Sequence, residues 1–421
     1  MTTITSSEEF ESNLQLYADV AIKVGLNLQP GQRLLVRNIG SIVSITPFMR
    51  HLTKAAYRAG ARFVDVIWMD EQLDKIRIQY AEPDSLDEFP QWQVDGLLEY
   101  AGRGDAILGI FATDPDLFAG LEPELVTQTQ QVRAKKLKPY IELLGKSNFN
   151  WLTICVPESQ WAKKMFPNLP ADEQIPSLWH AIFNTLRLHH PDPVAAWQSH
   201  INRLVTFRDH LTQKRYRALK FSGPGTDLTV GLTDRHIWQG GRITSKSGIS
   251  HTPNLPTEEV FTMPHREQVD GVVRASKPLS YGGILIEDFS VTFKQGRAVN
   301  VTAGRGGTAL RKLIETDEGA SRLGEVALVP HCSPISQSGL LFYQTLFDEN
   351  AACHLALGNA LRFSMEGGTS IATEDFLDEG GNVSALHIDF MIGSDEINVD
   401  GITIDDTSEA VMRAGEWAIE F

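Results

Sequence analysis

The run Asn382-Val383-Ser384-Ala385-Leu386-His387-Ile388-Asp389-Phe390-Met391-Ile392-Gly393 constrains the fold more tightly than any other part of the chain. It is apolar and strand-like, yet it carries a His and an Asp two residues apart. Successive side chains of a strand point to opposite faces. His387 and Asp389 therefore project from one face, with Leu386, Ile388 and Phe390 on the other. A buried carboxylate without a partner is costly. The pair calls either for a simple His–Asp hydrogen bond or for a shared partner such as a metal ion.

A chain of 421 residues exceeds one ordinary hydrophobic core, which predicts two domains. In the first half, helical apolar spacing over residues 8–24 stops at Gly25, and a second helical stretch over 42–59 stops at Gly60. Strand-like runs occupy 32–39, 63–68, 105–112 and 151–156. This alternation predicts an α/β domain with a mainly parallel sheet. A helical, aromatic-rich connector follows over 176–219, and its His189, His190 and His200 read as surface or packing residues. From Lys220 onward short strands alternate with glycine-rich turns, among them Gly223-Pro224-Gly225, Gly240-Gly241 and Tyr281-Gly282-Gly283. That pattern predicts a mixed α+β, largely antiparallel domain. The boundary is placed so that 1–215 form the first domain and 216–421 the second.

A net charge of −15 argues against general affinity for nucleic acid or an anionic membrane. No apolar run is long enough to span a bilayer, and the start MTTITSSEEFESN has no basic-then-apolar leader. Cys155, Cys332 and Cys353 make neither a zinc-ligand spacing nor an even disulfide set, which predicts a reducing, cytoplasmic setting.

Three more segments of the second half place carboxylates or His at apolar, element-like positions. In Pro256-Thr257-Glu258-Glu259-Val260 the adjacent glutamates point to opposite faces of an extended run, so one faces inward. Which of the two does so is open. In Leu323-Gly324-Glu325-Val326-Ala327-Leu328, Glu325 begins a strand-like run. In Asp348-Glu349-Asn350-Ala351-Ala352-Cys353-His354, Asp348 reads as the cap of a helix whose body contains His354. Singly, each is an exposed pair, a strand-end carboxylate or a helix cap. Together, carboxylates and two imidazoles in one β-rich domain are what a dinuclear hydrolytic metal site requires. Oxygen and nitrogen ligands without thiolate suit zinc, cobalt, manganese or magnesium.

PNLPTEEVFTMPHR, RLGEVALVP, LFDENAACHLALG and NVSALHIDFMIGS resemble signature segments of the aminopeptidase T / aminopeptidase S family of metallopeptidases. AIKVGLNLQPGQ and FSGPGTDLTVGL extend the likeness over essentially the whole chain. The resemblance implies a metallo-aminopeptidase that removes N-terminal residues from peptides with a free N-terminus. It further implies a two-metal site in the second domain and a homodimer. Carried across residue by residue, it makes Glu259, Glu325, His354, His387 and Asp389 metal ligands, with Glu349 a weaker candidate. Glu325 is the expected bridge and catalytic carboxylate. One position departs from the family: seven residues after the histidine of HLALG, a tyrosine is expected and this chain has Leu361. If the helix continued, position 361 would face the site; then either another donor replaces the missing hydroxyl, with Tyr343 and Arg362 as nearby candidates, or the enzyme is slow, or the site acts on something else. This departure motivates an alternative, a catalytically weakened metal-binding relative. A further alternative, a dinucleotide-binding protein, rests on Gly304-Arg305-Gly306-Gly307-Thr308-Ala309 after a strand-like run.

Overall fold

Four short apolar runs become the strands of a parallel sheet because helices separate them, and a crossover helix returns the chain in the same direction. In the computed structural model these are β1 (Arg33–Gly40), β2 (Phe63–Ile67), β3 (Ala106–Ala112) and β4 (Trp151–Cys155), in the order β2-β1-β3-β4. Leu34 pairs with Val64 on one side and Ala106 on the other. The crossover helices start on local caps: the Ser41 side chain accepts from the Ser44 N–H, and Asp70 accepts from the Gln72 N–H at 3.1 Å. Helix Gln91–Arg103 stops at Gly104, whose φ of 74° suits glycine. The structure describes residues 7–281 and 284–421, so the turn expected at Gly282-Gly283 lies outside the described residues.

The chain packs as two compact units. One runs up to His200 and includes Arg242–Pro256; the other comprises Ile201–Gly241 and Thr257–Phe421. Two large antiparallel sheets dominate the second unit, beside the two-stranded pair Leu279–Tyr281 and Ile284–Ile286. The larger has eight strands, with Ala218–Gly223 and Thr226–Leu232 at its middle. The smaller has five: His387–Met391 at one edge, then His354–Gly358, Leu323–Leu328, Val260–Thr262 and Gln239–Gly240. Leu219, Phe221, Leu228 and Val230 of the larger sheet share one core with Val260, Val326, Leu328, Leu355, Leu357, Ile388 and Phe390 of the smaller.

Two expectations are corrected here. His354 lies on a strand, not in a helix capped by Asp348. The short helix Thr345–Asp348 and a single turn at Glu349–Ala351 end before it. Every residue of His354–Gly358 is buried, so the run is apolar on both faces, and such a pattern does not separate strand from helix. The glycine run at 304–307 does open a helix, Gly307–Ile314, but it follows an antiparallel hairpin of Ser290–Lys294 with Arg297–Thr302. A dinucleotide turn needs a βαβ unit, so that alternative has no support.

Candidate metal centre

Strand parity builds the site. Val260, Val326, Leu328, Leu355, Leu357, Ile388 and Phe390 face the shared core. Their neighbours one residue away, Glu259, Glu325, His354, His387 and Asp389, therefore turn to the opposite face of the five-stranded sheet. Register then aligns them: Glu325 pairs with Ala356, and Ala356 with Asp389. The small side chain of Ala356 leaves a gap between two carboxylates.

Across that gap the ligand atoms converge in two groups that share Glu325. Glu259, Glu325 and His354 bring one oxygen or nitrogen each within 4.8 Å of the others, and so do Glu325, His387 and Asp389. His354 Nε2 lies 3.3 Å from Glu259 Oε2 and 3.5 Å from Glu325 Oε1. His387 Nε2 lies 3.5 Å from Glu325 Oε2 and 3.4 Å from Asp389 Oδ1. The two oxygens of Glu325 thus face different imidazoles. His354 is almost wholly buried, whereas the His387 side chain is 29% exposed and marks the open end.

The ring orientations are set by backbone carbonyls. His354 Nδ1 donates to Ala352 O at 3.1 Å and His387 Nδ1 to Asn359 O at 2.7 Å. Both rings therefore present Nε2 to the carboxylates, the arrangement that second-shell partners impose on metal-binding histidines. Asn350, fully buried, accepts from the Glu258 N–H at 2.7 Å and donates to Leu346 O at 3.0 Å, which steadies the segment that presents Glu259. Nothing in the sequence marks Ala352 or Asn359 for these roles, because backbone acceptors carry no residue signature; Asn350 acts through its side-chain amide.

The charge balance is strained. Burial works against the charged form of His354, but Glu259 and Glu325 outweigh it and hold its pKa well above the usual range. His387 is likewise disfavoured as a cation by burial, yet Asp389 and Glu325 push it up to about 9. Burial raises the Glu325 pKa despite its contact with His354. Burial opposes ionisation of Asp389 too, but His387 and His354 bring its pKa below the ordinary value. Glu349 stands outside both ligand groups; burial, then Glu259 and Asp389, push its pKa well up.

Divalent cations suit this donor set. Glu259 Oε2 and Asp389 Oδ1 are buried without a hydrogen-bond partner among the described residues, a state that normally calls for explanation. Both lie close to an imidazole nitrogen without the alignment of a hydrogen bond, as lone pairs aimed at a common point would.

Leu361 does not lie two helical turns beyond His354; it precedes the short turn Arg362–Ser364 with extended backbone. Of the two residues considered as replacements for a tyrosine, Arg362 is committed elsewhere. Its guanidinium donates to Ile371 O at 3.1 Å and Thr373 Oγ1 at 2.9 Å, and packs over Phe376. Tyr343 instead lines a cavity with His387 and Asp389.

A family model described as thermophilic metalloprotease (M29) matches residues 10–417. The chain is 44% identical to aminopeptidase 2 of Geobacillus stearothermophilus, over 98% of this chain and 99% of that one. It is 44% identical to aminopeptidase T of Thermus thermophilus, over 98% and 100%. The solved structure of wild-type AmpT from Thermus thermophilus superposes with a TM-score of 0.91, covering 97% of this chain and 100% of that one. By sequence and by structure, the chain belongs to the thermophilic metalloprotease (M29) family.

Proposed function

We propose that the protein is a metal-dependent aminopeptidase with a dinuclear centre, hydrolysing the first peptide bond of peptides with a free N-terminus. The observation that carries this reading is Glu325, whose two oxygens face two separate imidazole–carboxylate sets. One cation would be held by Glu259, Glu325 and His354, and a second by Glu325, His387 and Asp389. Zinc, cobalt, manganese and magnesium all accept such ligands. Divalent cations there supply Lewis acidity for the carbonyl under attack and make water acidic enough to react near neutral pH.

The protein's own residues do the rest. Ala352 and Asn359 hold the imidazoles in the neutral tautomer that exposes Nε2. Glu325 spans both sets, and its loss would undo both. Glu349, outside the ligand groups yet buried beside them, is the carboxylate free to take a proton and pass it to the leaving amine. The acidic pocket also favours a substrate ammonium.

Support for peptidase chemistry comes from family membership and from the names of the relatives. By the earlier resemblance the reading extends to a homodimer, tested by sedimentation. The free thiols of Cys155, Cys332 and Cys353 favour a reducing compartment such as the cytoplasm. No helix among the described residues is long and apolar enough to cross a membrane.

The test is hydrolysis of leucine amide by metal-stripped protein with each of the four cations added back, and with an N-acetylated peptide as control. Activity that returns with metal and is absent on the acetylated peptide supports the reading. Failure with every cation, despite binding of two ions, would instead favour the weakened relative that Leu361 suggests.

A further inference from the structure

We propose that the outer edge of strand His387–Met391 receives the substrate's backbone as an added strand, which sets a peptide bond beside the metal ligands. The inference rests on the peptidase reading above.

Hydrogen bonds at both ends of this strand fix which backbone groups face outward. The Ile392 N–H donates to Cys353 O at 2.8 Å, and the Asn359 N–H donates to Leu386 O at 2.6 Å. Both bonds join residues in the register that pairs Asp389 with Ala356. Antiparallel pairs alternate between bonded and non-bonded. Leu386, Ile388, Phe390 and Ile392 therefore turn their N–H and C=O groups toward His354–Gly358. His387, Asp389 and Met391 turn theirs to the outer edge. The Met391 carbonyl confirms the direction, since it accepts from the Ser276 N–H at 2.8 Å. Among the described residues, no backbone bond reaches the outward groups of His387 and Asp389, and no further strand pairs with this edge.

A cavity of about 170 Å³ runs along that edge. Tyr281, Tyr343, Gln344 and Asp348 line it together with the whole strand. Its Tyr343 wall is rigidly set. Tyr343 has a φ of 55°, costly for an aromatic residue, and the Asp348 carboxylate pins the turn by accepting from the Phe342 and Gln344 N–H groups at 2.7 and 3.0 Å.

Outward N–H and C=O groups at strand spacing are matched best by another extended backbone. Here the two residues that offer them, His387 and Asp389, also carry metal-binding side chains. A chain added about 4.8 Å away lies in the sheet plane, with its peptide groups at the rim of the carboxylate cluster. The cavity is small against an ordinary ligand pocket, so the pairing covers the first few residues only.

The experiment uses the metal-loaded protein and compares kcat/KM for leucine amide, for Leu-Ala-Ala-amide, and for that peptide N-methylated at its third residue or N,N-dimethylated at its terminal amide, each change leaving one backbone nitrogen without an N–H donor. We expect extension to raise kcat/KM about tenfold, and N-methylation at one of the two positions to remove the gain, since two backbone hydrogen bonds are at stake. Hydrolysis of all four substrates within twofold of one another would overturn the added strand while leaving the peptidase reading intact. No metal-dependent hydrolysis of leucine amide would remove both.

Discussion

Glu325 and His387 meet at 3.5 Å, Oε2 to Nε2, although their strands are not neighbours; His354–Gly358 runs between them. Contact across an intervening strand needs small residues in the middle, and Ala356, opposite Glu325, and Gly358, opposite His387, occupy that place, both buried. Ala356→Val puts two methyl groups into the gap. We expect metal affinity to fall at least tenfold by equilibrium dialysis. Overpacking costs roughly 1–3 kcal/mol, so the variant should still fold, as read by circular dichroism.

Glu325→Gln separates function from stability. The carboxylate spans both ligand groups, and the variant should lose turnover by roughly 10³-fold or more. In the metal-free protein, however, burial disfavours its charge, and a neutral amide avoids that penalty. The metal-free variant should therefore melt no lower than the metal-free parent. Retention of most activity would remove Glu325 from the centre.

Metal binding should release protons. The His387 pKa is pushed up to about 9 in the metal-free protein, and an imidazole must be neutral to bind a cation. Affinity should rise with pH through about 9, and calorimetry in buffers of different ionisation enthalpy should show net proton release at pH 7. The same shift bears on stability. A folded pKa above the unfolded value stabilises the metal-free protein below the unfolded pKa, about 6.5. That contribution is lost as pH rises through 9.

His251 predicts the opposite slope in the other unit. It is buried beside Trp151, and burial lowers its pKa to about 4 despite a bond to Ile249 O. The unfolded chain then binds more protons between about pH 4 and 6.5, so stability falls as pH drops through that window. The loss is at most about 3 kcal/mol. His251→Phe should flatten the melting temperature over that range, and an unchanged slope would mean that another group is responsible.

The legible parts of the fold were those with a local cause. Strands β1 to β4 are bounded runs between helices that end at glycine or begin at a side-chain cap, so their limits fell within a residue or two. His387 and Asp389 announced a shared face through a spacing of two. The strand of His354 did not announce itself, because burial on both faces removes the alternation that separates strand from helix. The same pattern predicts a continuing helix at Leu361, which stands on extended backbone instead. The excursion of Arg242–Pro256 into the first unit was equally silent, since two-residue strands such as Ile243–Thr244 carry no period.

The residue types that can hold a cation are written in the chain itself, and period-two alternation sets Glu259, Glu325, His387 and Asp389, though not His354, opposite core residues on their own strands. Only the tertiary structure decided that the strands bearing Glu259, Glu325, His354, His387 and Asp389 lie in one sheet, in a register that points Glu325 at both histidines. It also decided that Glu349 stays outside the ligand groups and that carbonyls of Ala352 and Asn359 orient the rings. The reason is physical: strand order and register come from long-range backbone pairing, and backbone groups are the same at every residue.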